Sequence, residues 1–482
     1  MKAEIYLGID IGTTNTKVVS ITRGGEIAKE ESFPTPKYER DGVEFIDLER
    51  LERFFDHTIS NTHRDREVLG VSFSSIGESV VPVAGREKLY DPIIWYDEVT
   101  RQVKSEVDEV IGQYGAYQRS GLKDSYTYSL YKAAWMEEHL SFRSPEYWLP
   151  LASYFPYRYT GNTSWEVTQS CRSLLFDVTN REWIEGVQQE YELEGRLGEI
   201  SYIGEFLGHT TEDIPLFLSG HDHLTGLYAL LKIIEEEEVI YDSMGSASLI
   251  ATLIEEEEFA PGEYLKTPND IIGAAFQEDQ YYYENSIKYY GKLFESVSSL
   301  MGLGEDELEK IHGEILEDYE GLRVMNFSTG GDFYAPETKN RVNLLNLPIN
   351  QRKKEVIHSL YLYLTHMNER IFEKLDAKLD GDPVYLVFGG VSSNDLLMKY
   401  KAAVLGKTMR KVNLEELTAV GAAISAMIGA GDFSALARLK KNQDVEVITP
   451  GKLDPHYFQE KSAELRDFYE GLGDSGFYDN TD

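Results

Sequence analysis

Three short stretches put acidic, hydroxyl-bearing and glycine residues where phosphate chemistry could use them. The first is Asp10-Ile11-Gly12-Thr13-Thr14-Asn15-Thr16-Lys17, set between two apolar runs. The spacing predicts a tight hairpin joining two strands. Gly12 would allow positive φ and a close approach of backbone to a ligand. Thr13, Thr14 and Thr16 offer hydroxyl and amide donors and Lys17 a positive charge, a set able to cradle phosphate oxygens. Asp10 could hold Mg²⁺ through water, because that ion takes few carboxylates and keeps several waters. An ordinary polar hairpin fits the same spacing, and the stretch is neither a Walker loop nor a GxGxxG helix start.

The second stretch is Ile214-Pro215-Leu216-Phe217-Leu218-Ser219-Gly220-His221-Asp222-His223. A strand runs into Gly220 and a helix follows, so Asp222 falls at a helix N-terminus. It could cap that helix or take a proton from a substrate hydroxyl. His221 and His223 invite a metal reading, but residues two apart on a helix do not share a face. The third stretch is Val384-Tyr385-Leu386-Val387-Phe388-Gly389-Gly390-Val391-Ser392-Ser393-Asn394. Paired glycines after a buried strand let a flat base or a phosphate approach the backbone. Asn394 could bond an adenine or cap the next helix.

These residues need a scaffold, and the rest of the chain supplies its pattern. β-Branched and aromatic runs predict strands at Glu67–Ser74, Val80–Ala84, Asp213–Leu218 and Val384–Phe388. Helical periodicity predicts helices at Ser129–Leu140, His223–Ile234, Arg352–Leu379, Asn394–Leu405, Thr418–Ala430 and Tyr457–Leu472. Strands and helices alternate, which is the signature of an α/β architecture. Residues 5–21 (IYLGIDIGTTNTKVVSI) and 239–254 (VIYDSMGSASLIATLI) share one pattern: apolar strand, Asp, Gly, small hydroxyl residues, second apolar strand. Asp10 and Asp242 lie 232 residues apart in a chain of 482, so the repeat points to two related lobes rather than a solenoid.

Composition narrows the function classes. The net charge of −36 argues against nucleic acid, which needs clustered Lys and Arg, and against anionic membrane surfaces. No run approaches the ~18 consecutive apolar residues of a membrane span. Cys171 is the single cysteine, so neither an internal disulfide nor a cysteine zinc site is available. The opening MKAEIYLGIDIG runs straight into a strand without a charged n-region, apolar h-region and cleavage site. A reduced, cytoplasmic protein is the expectation. The glutamate runs Glu235–Glu238 and Glu255–Glu258 read as solvated faces.

Taken in order, the motifs resemble the FGGY carbohydrate kinases, the family of glycerol, xylulose, gluconate and fuculose kinases. Nine blocks spread over nearly the whole chain carry the resemblance. They are GIDIGTTNTK (8–17), PIIWYDEVTR (92–101), YSLYKAAWMEE (128–138), YRYTGN (157–162), CRSLLFDVTNREW (171–183), IPLFLSGHDH (214–223), DSMGSAS (242–248), FGGVSSNDLLMKY (388–400) and AVGAAISAMIGAG (419–431). The resemblance implies an α/β fold of two actin-like (ribonuclease H-like) ATPase lobes around a central cleft. It places an N-terminal lobe at 1–238, with the sugar and the first phosphate loop, and a C-terminal nucleotide lobe at 239–482. The implied reaction is ATP-dependent, Mg²⁺-assisted phosphorylation of a hydroxyl of a sugar, sugar acid or polyol.

Roles follow residue by residue from that resemblance. Asp222 matches the general base, and Asp10 and Asp222 stand as the metal-side carboxylates. Gly12, Thr13, Thr14 and Lys17 belong to the first phosphate loop. Gly245 and Ser246 match the second, where the family has Gly-Thr, and Gly330 and Gly331 lie near where a glycine meets the nucleotide phosphates. Gly389, Gly390 and Asn394 match the adenosine pocket, while Glu78, Trp95, Asp97 and His223 fall on the sugar side. Around the sugar the chain departs from the family: Ala152-Ser153-Tyr154 replaces Lys-Asp-Tyr, Gln169-Ser170-Cys171 replaces small-Asp-Ala-Ser, and Ser74-Ser75-Ile76-Gly77-Glu78 matches neither the glycerol nor the xylulose pattern. Dimers and tetramers occur in the family, so a homodimer is admissible, although no apolar stripe marks an interface. The rival class is a non-catalytic or regulatory actin-like nucleotide-binding protein, since fold alone does not fix function.

Overall fold

In the computed structural model, the described residues are 2–471 apart from 235–237, 256–269, 288, 330–341, 346–349, 351, 380 and 415. Two large sheets organise them. The first runs, edge to edge, Phe206–His209, Pro215–His221, Glu67–Ser75, Glu4–Ile11, Asn15–Thr22, Ile27–Pro34. The second runs Ile271–Ala274, Gln280–Ile287, Ser248–Glu255, Val239–Met244, Val384–Phe388, Met409–Val412, Val445–Ile448.

Five strands of each sheet have one topology. An antiparallel three-strand meander starts each, and two further strands then add in parallel to its first strand. The strands Glu4–Ile11 and Val239–Met244 therefore occupy equivalent places. Asp10 lies opposite Lys17 on one side and Ser74 on the other; Asp242 lies opposite Ile250 and Val387. Both hairpin tips emerge at the carboxyl ends of the parallel strands, where open α/β sheets bind ligands.

The two halves are not strung end to end. Helix Leu417–Gly429, late in the chain, lies on the first sheet. Its fit depends on glycine: a Cβ on Gly8 would sit 1.9 Å from the Ala419 carbonyl oxygen, and one on Gly421 would sit 2.3 Å from that of Thr225. Thr225 belongs to helix Asp222–Ile234, so the two helices cross in backbone contact. Arg23 and Asp432 pair at 2.8 Å beside this crossing.

The strand predicted at Asp213–Leu218 is displaced and forms at Pro215–His221. Asp213 takes φ of 64° in the turn that precedes it, and Thr210 N–H donates to the Ile214 carbonyl to close that turn. The strand starts later for this reason and runs through Gly220 to His221, which delivers Asp222 to its end as the first residue of the helix.

Candidate active site

The first hairpin turns as its spacing predicts. Gly12 N–H donates to the Asn15 carbonyl at 3.2 Å. Gly12 does not use positive φ; glycine is needed because a Cβ would lie 2.8 Å from the Asn15 oxygen. Thr35 pins the turn from the third strand, donating its hydroxyl to the Gly12 carbonyl at 2.8 Å. Thr14 is exposed at the tip, and Thr13 accepts a hydrogen bond from Trp95 Nε1 at 2.9 Å. Lys17 does not point a free charge at the loop. Its ammonium pairs with Glu416 at 2.5 Å.

Asp10 is buried, and its Oδ1 has no hydrogen-bond partner. Burial first, then the negative charge of Asp222, holds its pKa well above the usual carboxylate range. Such an oxygen costs about 1–3 kcal/mol, more when charged. Asp222 thus acts on Asp10 electrostatically, offset in part by the charge of Lys17, and a divalent ion beside the two carboxylates would relieve both. No group of three or more His, Cys, Asp or Glu able to hold a metal occurs among the described residues. A sparse carboxylate set of this kind fits Mg²⁺, which completes its shell with water and phosphate oxygens.

The Asp222 carboxylate is oriented by neighbours that do not neutralise it. Its Oδ1 accepts from His223 N–H at 2.7 Å and lies 3.3 Å from His221 Nε2. Burial, aided by Arg172 and His223, keeps His221 neutral by holding its pKa well below the usual imidazole value. It therefore stands beside Asp222 without adding a charge. The backbone here is anchored in turn: His221 N–H donates to Thr168 Oγ1 at 3.0 Å, and that hydroxyl donates to Glu166. Glu166 also accepts from Thr168 N–H at 2.7 Å, and burial pushes its pKa up to about 7. Gly220 is glycine because a Cβ would lie 2.5 Å from both Glu166 Oε2 and Thr168 Oγ1.

The second hairpin repeats the first with one change. Asp242 is fully buried, accepts from Ser248 Oγ at 2.7 Å and pairs with the equally buried Lys401. Its charge has a buried ammonium in direct contact, whereas Asp10 has only the smaller offset of Lys17. Ser246 is exposed at the tip and Gly245 half-buried. Lys292 N–H and Gly291 N–H, at the start of helix Tyr290–Leu300, donate to the Ser246 and Gly245 carbonyls at 3.2 and 3.1 Å. Gly389 reaches this hairpin with φ of 94°, and a Cβ there would lie 2.7 Å from the Met244 oxygen. Asn394 caps helix Asp395–Leu405 through Leu397 N–H at 3.1 Å and donates to Tyr361 at 2.6 Å. Gly390 is exposed beside them. Gly330 and Gly331 lie outside the described residues.

On the acceptor side, Glu78 is half-buried with φ of 25°. Burial raises its pKa against the pull of Arg172 and Lys132. Trp95 stands between the first hairpin and this group, joined to Thr13 through its indole nitrogen and to Lys132 Nζ through its carbonyl at 3.1 Å. Asp97 is spent on the backbone, accepting from Val99 N–H and Glu44 N–H at 2.8 Å each. His223 is exposed, its ring 5.5 Å from that of His221. Cys171 is packed, accepts from Ala274 N–H at 3.2 Å, and has its thiol pushed up to about 12 by burial, so it is no nucleophile at neutral pH.

Four residues that the sequence did not single out complete the group: Lys132, Arg172, Tyr282 and Glu284. Arg172 of the first lobe pairs with Glu284 of the second sheet. A Cβ on Gly77 would lie 3.0 Å from Arg172 Cγ and 2.8 Å from the His221 ring, so these side chains are in contact next to Asp222. Arg172 Nε, Glu284 Oε2, Tyr282 Oη and His221 Nδ1 are all buried without a hydrogen-bond partner. Arg172 sits inside one of the nine blocks, which was its only signal. Glu284 reads in sequence as one more residue of an aromatic strand.

Residues 5–215 match the model of the FGGY family of carbohydrate kinases, N-terminal domain. Xylulose kinase of Lactococcus lactis is 23% identical over 90% of this chain and 90% of its own length. Among solved structures, ligand-bound xylulose kinase from Lactobacillus acidophilus superposes with a TM-score of 0.82, at 15% identity, over 98% of this chain and 99% of that one. Plasmodium falciparum glycerol kinase with ADP gives 0.80 at 17% identity over 98% of each chain. The two repeated sheets are thus the lobes of the actin-like (ribonuclease H-like) ATPase fold. No helix among the described residues is long and apolar enough to cross a membrane. The family model over residues 5–215, the relatives matched end to end and the doubled hairpins all liken the chain to the FGGY family of carbohydrate kinases.

Proposed function

We propose that the protein transfers the γ-phosphate of ATP to a hydroxyl of a sugar or polyol, with Asp222 as the general base. The carrying observation is Asp222 at a strand end, its carboxylate accepting from His223 N–H, 3.3 Å from the neutral His221 ring and close enough to act on the buried Asp10. Lobe 1–238 would hold the acceptor and the first phosphate hairpin; lobe 239–482 would hold the nucleotide. Asp222 accepts the hydroxyl proton as the oxygen bonds to the γ-phosphorus and the β,γ-bridging P–O bond breaks, releasing ADP. Thr13, Thr14, Gly245 and Ser246 present donors to the phosphates from opposite hairpins, and Gly389, Gly390 and Asn394 bound the adenosine. Glu78, Trp95 and His223 line the acceptor side. Asp97 supports it indirectly by fixing the backbone at Glu44 and Val99. Mg²⁺, held by Asp10 and Asp222 through water, would neutralise phosphate charge.

Phosphoryl transfer of this type depends on positioning and charge compensation more than on covalent help. Lobes closing over the cleft would keep water from the γ-phosphate. The protein is read as cytoplasmic. The test is ADP release at fixed Mg-ATP across polyols, ketoses and sugar acids, with wild type and Asp222→Asn. Acceptor-dependent release that falls by about 10²–10⁴-fold in the variant is expected for loss of a general base. Slow release indifferent to every acceptor would favour the non-catalytic nucleotide-binding reading instead.

A further inference from the structure

The groups packed beside Asp222 carry information about the acceptor that the likeness to carbohydrate kinases does not. They come from both lobes, and their charges can be followed one by one. Arg172 is spent on Glu284. Lys132 is fully buried and donates to the carbonyls of Trp95 and Thr127. Burial brings its pKa down to about 7, so it is a weak source of positive charge. Lys17 is spent on Glu416. Against these stand Asp10 and Glu78, each acted on by the charge of Asp222, and Glu284, which acts on Glu78. His221 is neutral.

Hydrogen-bonding capacity, by contrast, is in surplus. Glu284 keeps one buried carboxylate oxygen without a donor, Arg172 keeps one buried N–H without an acceptor, and Tyr282 has an unpartnered hydroxyl. Arg172, Glu284 and Tyr282 are 5%, 3% and 0% exposed, so bulk water does not meet this need. Buried polar groups in folded proteins are nearly always satisfied, and a ligand rich in hydroxyls, each both donor and acceptor, would satisfy an unpaired acceptor and an unpaired donor side by side. A carboxylate would find no uncommitted cation among these groups and would add a further negative charge beside Asp222.

Resting on the kinase reading above, we propose that the acceptor is a neutral polyol or ketose rather than a sugar acid, and that the Arg172–Glu284 pair bridging the lobes sets this choice. Glu284 is the specificity-determining partner, because it consumes the one guanidinium that could otherwise grip a carboxylate bidentately. Its position on the second lobe also means that the acceptor is read by both halves of the molecule.

The test compares neutral three- to six-carbon polyols and ketoses with the corresponding sugar acids by acceptor-dependent ADP release, in wild type and Glu284→Gln. For wild type, kcat/KM for the best neutral acceptor should exceed that for its acid by at least about 100-fold, the scale at which unpaired buried polar groups discriminate. Glu284→Gln frees Arg172 and should shrink that ratio at least tenfold, with gain on the acid side and KM for ATP unchanged. Equal or better use of the acid by wild type overturns the inference while leaving the kinase reading in place. A ratio unaltered in a folded Glu284→Gln removes that residue from the choice. Should the variant fail to fold, the wild-type ratio decides alone. Absence of acceptor-dependent release in both classes would overturn the kinase reading and this inference together.

Discussion

An uncompensated carboxylate is costly to bury, and the cleft contains one whose neighbour deepens the cost. The pKa of Asp10 is raised by burial and by Asp222, while its counterpart Asp242 is relieved by Lys401 and Ser248. Two equivalent aspartates in one repeated hairpin thus have different surroundings: Asp242 has a buried ammonium beside it, while Asp10 has an unpartnered oxygen and only a smaller offset from Lys17. The consequence for stability has a definite sign. An acid whose pKa is higher folded than unfolded contributes fully below the unfolded value, near 3.9, and that contribution is lost as pH rises through the folded value. Asp10→Asn should therefore melt a few degrees above wild type at pH 8 in the absence of metal and nucleotide, with the gap closing toward pH 4. Magnesium with nucleotide should stabilise wild type more than the variant. Differential scanning calorimetry over this range checks it; a variant melting lower than wild type at pH 8 would mean that Asp10 is not an electrostatic burden.

At the scale of elements, the site is two hairpin tips and one strand end, held by close backbone crossings. Much of this was legible. The pattern of apolar strand, Asp, Gly and hydroxyl residues marks both hairpins, and the Phe388–Gly390 junction reads directly as strand then turn. What was not legible is who meets whom. Arg172 and Glu284 are 112 residues apart, and only lobe packing brings them together. Glu416 lies farther still in sequence from Lys17, so the lysine expected at the phosphate loop is observed paired with it. Asn394, open in sequence between adenine contact and helix cap, is observed as a cap. Gly8 looks like one more strand residue, yet its missing Cβ makes room for helix Leu417–Gly429. Gly8→Ala forces backbone apart at 1.9 Å and should cost at least the ~1–3 kcal/mol of overpacking. Chemical denaturation should register the loss as a lower midpoint with unchanged slope; an undiminished midpoint would show that the crossing is loose.

For the whole molecule, the question is how a chain of net charge −36 holds an anionic nucleotide. On the proposed reading, amides and hydroxyls of the two hairpins and the carboxylate of Asp10 would hold it, rather than free lysines. Fixed backbone dipoles of this kind stabilise transferring phosphoryl oxygens without costly reorganisation. They would also make the arrangement depend on both sheets, since one hairpin comes from each and Glu284 of the second sheet pairs with Arg172. The most direct measurement is a crystal structure with Mg²⁺, a non-hydrolysable ATP analogue and an accepted sugar or polyol. The account predicts an Asp222 carboxylate oxygen within about 2.6–3.2 Å of the acceptor hydroxyl, with that hydroxyl facing the terminal phosphate and the phosphates lying between the tips at Thr13–Thr14 and Gly245–Ser246. An acceptor hydroxyl seated at the terminal phosphate but out of reach of Asp222 would contradict it.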